Sequence, residues 1–259
     1  MTEICSQHNI SKIMGNNNND KLVDEITTAV PGVWEFNKPV SQVFDSHVRK
    51  SVPCYDETQR LVREISEFFV NEGSCIYDLG SSTGETLFLL AGKHYIKKNI
   101  RLVGIEKSTA MIELAQDKCR QFENISFIHQ DLMKFDAFES AELVISLYTL
   151  QFLPIQHRKK LIRQIYDCLK PGGAFILAEK IFSGRHPLFE QISNDVHWEF
   201  KTAQGLTDEM ILQKARSLRG VLVPLTYDEN IEMLKNAGFK VIDCFLRWLN
   251  FAGFLAVKN

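Results

Sequence analysis

The stretch Cys75-Ile76-Tyr77-Asp78-Leu79-Gly80-Ser81-Ser82-Thr83-Gly84-Glu85-Thr86 constrains this chain more than any other. An apolar run closes in an acid, turns through two glycines separated by small hydroxyl residues, and enters a segment of helical character at 85–94. That order predicts a strand, a tight turn and a helix, the opening of a parallel βαβ unit. In an open α/β sheet such a turn lies at the carboxyl end of the first strand, where small side chains let backbone come close to a ligand. The glycine spacing narrows the choice of ligand. A dinucleotide turn needs three glycines as G-x-G-x-x-G, and here they stand only at Gly80 and Gly84. No Gly-Lys-Ser or Gly-Lys-Thr ending follows, which excludes a P-loop.

The rest of the chain keeps the same rhythm. Residues 57–70 carry Leu61, Ile65, Phe68 and Phe69 at helical spacing and lead into the first strand, 74–79. Further strands are expected at 101–106, 125–131, 143–148 and 174–179. Helices fall between them at 108–122, capped by Ser108 or Thr109, and at 156–169. Residues 187–220 read as a helical insertion, and a helix at 227–237 stops at Gly238. The last two strands, 240–248 and 251–258, are joined by almost nothing and must be antiparallel. Elsewhere the alternation implies parallel units with right-handed crossovers. Residues 1–20 are polar and expected to be mobile, 33–70 form a helical cover, and 21–259 make a single domain.

The strand ends carry acids. Asp78, Glu106 and Asp131 each close an apolar run, so the topology lines them along one sheet edge beside the glycine turn. Residues 78–84 match the Asp-x-Gly-x-x-x-Gly turn of S-adenosylmethionine-dependent enzymes. The chemistry agrees with that ligand: Glu106 can accept from two ribose hydroxyls, Asp131 from an adenine amine, and Asp78 adds negative potential near a cationic amino acid end. A diphosphate would be repelled by the same charges, which favours S-adenosylmethionine over NAD. Leu132 and Met133 either flank the adenine or pack as core, and any one acid alone has a bland alternative as a helix cap.

With a formal net charge of -2 and no block of Lys or Arg, the composition weighs against avid phosphate-backbone binding, so nucleic acid is not an expected partner. The six cysteines are scattered, without C-x-x-C pairs, and suit buried thiols in a reducing compartment. The first 20 residues lack a signal-peptide apolar core, and the longest apolar stretch, near 143–155, is too short to span a bilayer. A cytoplasmic protein with no membrane partner and no metal is expected.

Longer strings sharpen the picture. Ser51-Val52-Pro53-Cys54-Tyr55, Tyr77-Asp78-Leu79-Gly80-Ser81-Ser82, Thr149-Leu150-Gln151-Phe152-Leu153, Pro171-Gly172-Gly173-Ala174, Glu179-Lys180 and Asn236-Ala237-Gly238-Phe239 together resemble the carboxy-S-adenosylmethionine synthase family, from about Val43 to Lys258. The resemblance implies a Rossmann-like class I methyltransferase fold, an α/β architecture with a seven-stranded, mostly parallel sheet. A helical arm precedes that sheet and a helical insertion precedes its last two strands. Members of the family convert S-adenosylmethionine and prephenate into carboxy-S-adenosylmethionine, used later in modifying a tRNA wobble uridine, and are homodimers. The family's binding positions fall on Tyr55, Gly80, Ser81, Ser82, Glu106, Lys107, Asp131 and Leu132. Two positions depart. Ala215 stands after Gln213-Lys214 where the family has an Arg that holds the extra carboxylate, and Leu147 replaces an Asn.

Arg216 is next to Ala215, but one helical residue turns a side chain by about 100°. Loss of the clamp makes methyl transfer to a small-molecule acceptor, with S-adenosylhomocysteine as product, the leading expectation. The alternative is carboxy-S-adenosylmethionine synthesis, and tRNA or protein methylation and a non-catalytic binding module remain open. Displacement on a sulfonium mainly requires alignment and exclusion of water. If the acceptor must lose a proton, His197, Tyr148 and Glu179 are the candidate bases, each with a packing role as its alternative. Phe189, Trp198 and Phe200, with Trp34 and Phe36, are expected to shape an acceptor pocket.

Overall fold

The computed structural model describes residues 38–184 and 186–259. The tail at 1–20, the start of the cover at 33–37, and with it Trp34 and Phe36, lie outside the described residues. Two helices, α1 (Lys38–Ser51) and α2 (Tyr55–Ser66), precede the sheet. Then follow β1 (Cys75–Leu79), α3 (Glu85–Lys93), β2 (Arg101–Glu106), α4 (Thr109–Cys119), β3 (Ile125–His129), β4 (Ala141–Leu147), α5 (Ile155–Cys168) and β5 (Leu169–Phe182). The insertion forms α6 (Pro187–Ala203) and α7 (Asp208–Ser217), and the chain closes with β6 (Leu225–Thr226), α8 (Tyr227–Asn236), β7 (Val241–Trp248) and β8 (Phe251–Val257).

The strand order is β3-β2-β1-β4-β5-β8-β7. Strands β1 to β5 pair in parallel, whereas β8 runs antiparallel to both β5 and β7. The expected Rossmann-like sheet of the class I methyltransferases is therefore present. It gains an eighth strand, the two-residue β6, which pairs with Ile181 and Phe182 at the end of β5 and is too short to leave a periodic signal. Strand β5 also starts earlier than expected. The Gly172 N–H donates to the Lys258 carbonyl at 2.7 Å and the Lys258 N–H to the Gly173 carbonyl at 2.9 Å, so what reads as a turn extends the ladder.

Side chains of the central strands alternate between two cores, as a period of two requires. Tyr77, Leu79, Phe175, Leu177 and Phe254 point to one face, and Ile76, Leu102, Ile145 and Ile176 to the other. Helix starts follow local chemistry. The Ser108 hydroxyl accepts from the Met111 N–H, and the Thr226 hydroxyl and Glu229 carboxylate cap α8 reciprocally. Because β1 has β2 on one side and β4 on the other, the order reverses at β1, and a crevice opens beyond the carboxyl ends of β1 and β4.

Gly238 ends α8 with φ +116°, and a Cβ there would lie 2.8 Å from the Tyr166 ring. Gly238→Ala is therefore expected to cost about 2 kcal/mol or more through strain and overpacking. Urea unfolding should show a lower midpoint at unchanged slope, and an unchanged midpoint would contradict the packing described.

Candidate active site

The crevice is a cavity of about 700 Å³, and all nine sequence-predicted cofactor residues line it. Its floor is the turn after β1. Gly80 has φ +74°, and a side chain there would run into Thr149, so the position requires glycine. The Gly80 and Ser81 N–H groups donate to the Ile105 carbonyl at 2.8 and 3.2 Å, which ties the turn to the end of β2. Glu106 completes the tie. One of its oxygens accepts from the Ser82 N–H at 2.9 Å, and the other from the N–H groups of Lys107 and Ser108 at 2.8 Å each. Three backbone donors thus fix one carboxylate at the mouth of the turn.

Asp78 is 2% exposed, and its Oδ2 has no hydrogen-bond partner. Burial, with Glu106 beside it, pushes its carboxyl up to about 7. The Ser81 hydroxyl, also buried, is unpartnered as well. Asp131 accepts from the Met133 N–H at 2.9 Å, and Lys107 Nζ lies 3.4 Å from its other oxygen. Leu132 is buried next to it. On the opposite wall the Tyr55 hydroxyl accepts from Gln59 at 3.1 Å. An orphaned buried acid, an orphaned hydroxyl and a fixed carboxylate are the set that an amino group, a ribose diol and a cationic sulfur would satisfy, so the residues fit S-adenosylmethionine.

The three candidate bases fare differently. Tyr148 lines the cavity in a left-handed conformation, φ 58°, and its hydroxyl meets the Thr58 hydroxyl at 3.0 Å. Burial raises its pKa, which opposes a role as base. His197 also lines the cavity, but its Nε2–H donates to the Ser51 carbonyl at 2.9 Å, joining α6 to α1. Burial and Lys201 lower it to about 3, so the ring is neutral at physiological pH. Glu179 is not part of the lining. Its two oxygens accept from the Leu150 and Gln151 N–H groups at 3.0 and 2.8 Å, holding the 3-10 turn Leu150–Phe152, and burial pushes it up to about 8.

The aromatic pocket expected from Phe189, Trp198 and Phe200 is corrected by helix geometry. Helix α6 turns Glu190, Asn194, His197 and Lys201 toward the cavity, at intervals of four, three and four, which leaves those three aromatics off the face. The cavity instead takes Phe44, Phe152, Phe182 and Phe251.

Sequence reasoning missed the cations. Lys180, Lys201, Lys214 and Arg219 line the cavity, whereas Arg216 is exposed and does not. Lys214 Nζ donates to the Ser51 hydroxyl at 3.2 Å and contacts His47 Nε2. Burial together with Lys201 and Lys180 lowers Lys214 to about 7, and burial with Lys180 lowers Lys201 to about 8. The signal for them lies in the strings Glu179-Lys180 and Gln213-Lys214, and in the four-residue step from His197 to Lys201. Among the described residues no group of three His, Cys, Asp or Glu is placed to hold a metal, and no helix is long and apolar enough to cross a membrane.

The Asp78 carboxyl makes a pH prediction. In the free protein at pH 6 it is mostly protonated, and a cationic ligand stabilises the carboxylate, so binding must release a proton; at pH 8.5 the acid is already ionised. Calorimetry in buffers of different ionisation enthalpy should therefore show S-adenosylmethionine binding release about one proton at pH 6 and almost none at pH 8.5. Asp78→Asn should abolish the difference.

Known proteins resemble this chain in sequence and in fold. Residues 76–173 match the family model described as a methyltransferase domain, so the chain is an S-adenosylmethionine-dependent enzyme. Solved structures share the fold. A putative O-methyltransferase from Nostoc punctiforme has a TM-score of 0.63 at 17% identity, covering 94% of this chain and 67% of that one. Human N-acetylserotonin methyltransferase, solved with S-adenosylmethionine, has a TM-score of 0.52 at 17% identity, covering 85% and 54%. Sequence relatives reach much further. The carboxy-S-adenosyl-L-methionine synthase of Staphylococcus epidermidis is 41% identical over 230 residues, 88% of this chain and 98% of that protein. The synthase of Nautilia profundicola is 42% identical over 226 residues, 87% and 94%. These relatives overturn the expectation of methyl transfer to a small-molecule acceptor. The inference from Ala215 fails because it weighed one side chain, while the cavity carries five cationic ones, Lys107, Lys180, Lys201, Lys214 and Arg219. Identity at this level across nearly the full length of both proteins means that the chain belongs to the carboxy-S-adenosyl-L-methionine synthase family.

Proposed function

We propose that the chain is a carboxy-S-adenosyl-L-methionine synthase: prephenate gives up its ring carboxyl and ring hydroxyl to become phenylpyruvate, the carboxyl carbon bonds to the S-methyl carbon of S-adenosylmethionine, and the proton lost from that methyl leaves with the hydroxide as water. The observation that carries this is that one cavity is lined both by the acids Asp78, Glu106 and Asp131 and by three lysines, Lys180, Lys201 and Lys214, that act on one another. Ordinary methyl transfer calls for the acids alone. A reaction that also handles a carboxylate calls for both.

The chain's own residues divide the work. Glu106, immobilised by three N–H donors, presents its remaining lone pairs to a diol without reorganising. Asp131 offers an acceptor beside the apolar face of Leu132, and Asp78 places negative charge where a cationic amino acid end would lie. When bound, S-adenosylmethionine supplies a methyl carbon activated by positively charged sulfur. Helix α1 covers the crevice with Val43, Phe44 and Val48 and so excludes water. Ion pairs of 2.7 Å from Lys118 to Asp45, 2.9 Å from Lys118 to Glu85 and 3.2 Å from Arg49 to Glu85 fasten that helix to the start of α3. Tyr148, with Thr58 and Phe251 around it, shapes the wall between the two ends rather than serving as a base. We place residues 21–259 in one domain, and propose a cytoplasmic homodimer whose product feeds a tRNA wobble-uridine modification.

The purified chain given S-adenosylmethionine and prephenate should form carboxy-S-adenosylmethionine, detected by mass, and none with prephenate omitted. Accumulation of S-adenosylhomocysteine without the carboxylated product would overturn the assignment. Glu106→Ala removes a charged acceptor and frees three N–H groups, and should weaken S-adenosylmethionine binding about tenfold to a hundredfold, measured by calorimetry.

A further inference from the structure

Helix α1 is a cover without a core of its own. Val40, Val43, Phe44, His47, Val48 and Ser51 recur along it at intervals of three and four, and all of them line the cavity. Among the described residues none of α1 belongs to either hydrophobic core, whereas α2, just beyond it, contributes Val62 and Ile65. The apolar face of α1 therefore lies over the crevice, and a molecule filling the crevice completes its burial.

Charged groups hold that cover down. Lys118, on α4, donates through Nζ to Asp45 of α1 at 2.7 Å, to Glu85 at the start of α3 at 2.9 Å and to the Thr83 hydroxyl in the glycine turn at 3.2 Å. An ammonium has three N–H groups, so all of them are engaged. The Thr83 hydroxyl, which is buried, in turn donates to the other oxygen of Asp45. Arg49 adds bonds from α1 to Glu85 at 3.2 Å and to Asp56 of α2 at 2.8 Å. The cover is thus fastened to the very turn that carries Gly80, Ser81 and Ser82. Yet the side chains of Asp45, Arg49, Glu85 and Lys118 are between 22% and 37% exposed, which keeps each pair weak and open to screening by salt.

The joint is short. Only Val52-Pro53-Cys54 separates α1 from α2, and Cys54 takes the left-handed conformation, φ 57°, that favours glycine. Beyond the joint α2 is fixed: Val62 is fully buried, and the Ser66 hydroxyl meets His94 Nε2 at 2.7 Å. The other ties of α1, His197 to the Ser51 carbonyl and Lys214 to His47 and the Ser51 hydroxyl, lie close to the joint, where a swing moves atoms least.

We propose that α1 is a gate turning about residues 52–54 and that the Lys118 network is its latch, so that the adenosyl ligand enters and leaves at the rate at which the latch opens. Asp45, Arg49 and Lys118 do not line the cavity, so the latch holds the closed form equally with or without a ligand. Weakening it must speed entry and exit together and leave affinity nearly constant, whereas damage to the binding site would raise exit alone. The gate rests on the S-adenosylmethionine site and is independent of the synthase assignment.

The test is surface plasmon resonance on the immobilised full chain with S-adenosylhomocysteine, which carries no net charge at neutral pH, so that salt does not steer its encounter. Lys118→Gln and Arg49→Gln should each raise the association and dissociation rate constants by about threefold to tenfold, with Kd changed less than about threefold. Raising NaCl from about 50 to about 500 mM should do the same to the parent and have less effect on Lys118→Gln. Lys118→Arg, which keeps the charge, should stay close to the parent. Should Lys118→Gln not fold, Arg49→Gln and the salt series on the parent carry the same test. Faster dissociation with association unchanged or slower, or rates indifferent to both substitutions and to salt, would overturn the gate. If latch-dependent rates are found in a chain that forms no carboxylated product, the gate stands and the synthase assignment falls. Product formation with rates insensitive to the latch shows the reverse.

Discussion

The carboxylate of Glu106 holds the site together. Its three N–H donors come from two chain segments, Ser82 in the turn after β1 and Lys107 with Ser108 after β2. The parallel pairing of β1 with β2 brings those segments side by side, and the carboxylate locks them there. Without that lock the glycine turn would be free to relax away from the crevice, and Asp78 Oδ2 and the Ser81 hydroxyl, both buried without a hydrogen-bond partner, would find other ones. Preorganisation of this kind lets a binding site remain polar and dry at once.

Charge separation is the second constraint. Acids at three strand ends line the same cavity as lysines from a strand end and two insertion helices. Such a site destabilises the free protein at both ends, since desolvation drives Asp78 toward its neutral form and Lys214 toward its own. A pair of ligands of opposite charge relieves both. The helical cover and insertion therefore do more than close the crevice: α1 provides His47 and Ser51 to hold a lysine, and α6 provides both His197 and Lys201.

Much of this architecture is legible in the sequence. The first strand and turn, the acids at 78, 106 and 131, and the antiparallel end follow from runs of apolar residues and from topology, which is local or obeys strong rules. The basic end is not legible in that way, because Lys180, Lys201 and Lys214 are separated in sequence and come to one cavity only through the tertiary arrangement of α6, α7 and the end of β5. Helix phase decides the insertion's contribution. Four residues at 190, 194, 197 and 201 face inward, and the aromatics at 189, 198 and 200 do not. Glu179 shows the complementary error, a strand-end acid spent on two backbone N–H groups rather than on a ligand. Ala215 misleads because recognition of a carboxylate is a property of the summed field and not of one residue.

The most direct measurement is the mass of whatever small molecule the purified protein releases on denaturation. A site with one acidic end and one basic end should retain S-adenosylmethionine carrying an added carboxyl group, whose charges match both ends at once. Release of S-adenosylmethionine or S-adenosylhomocysteine alone, after growth under conditions that supply prephenate, would contradict the account and leave the lysine end without its ligand.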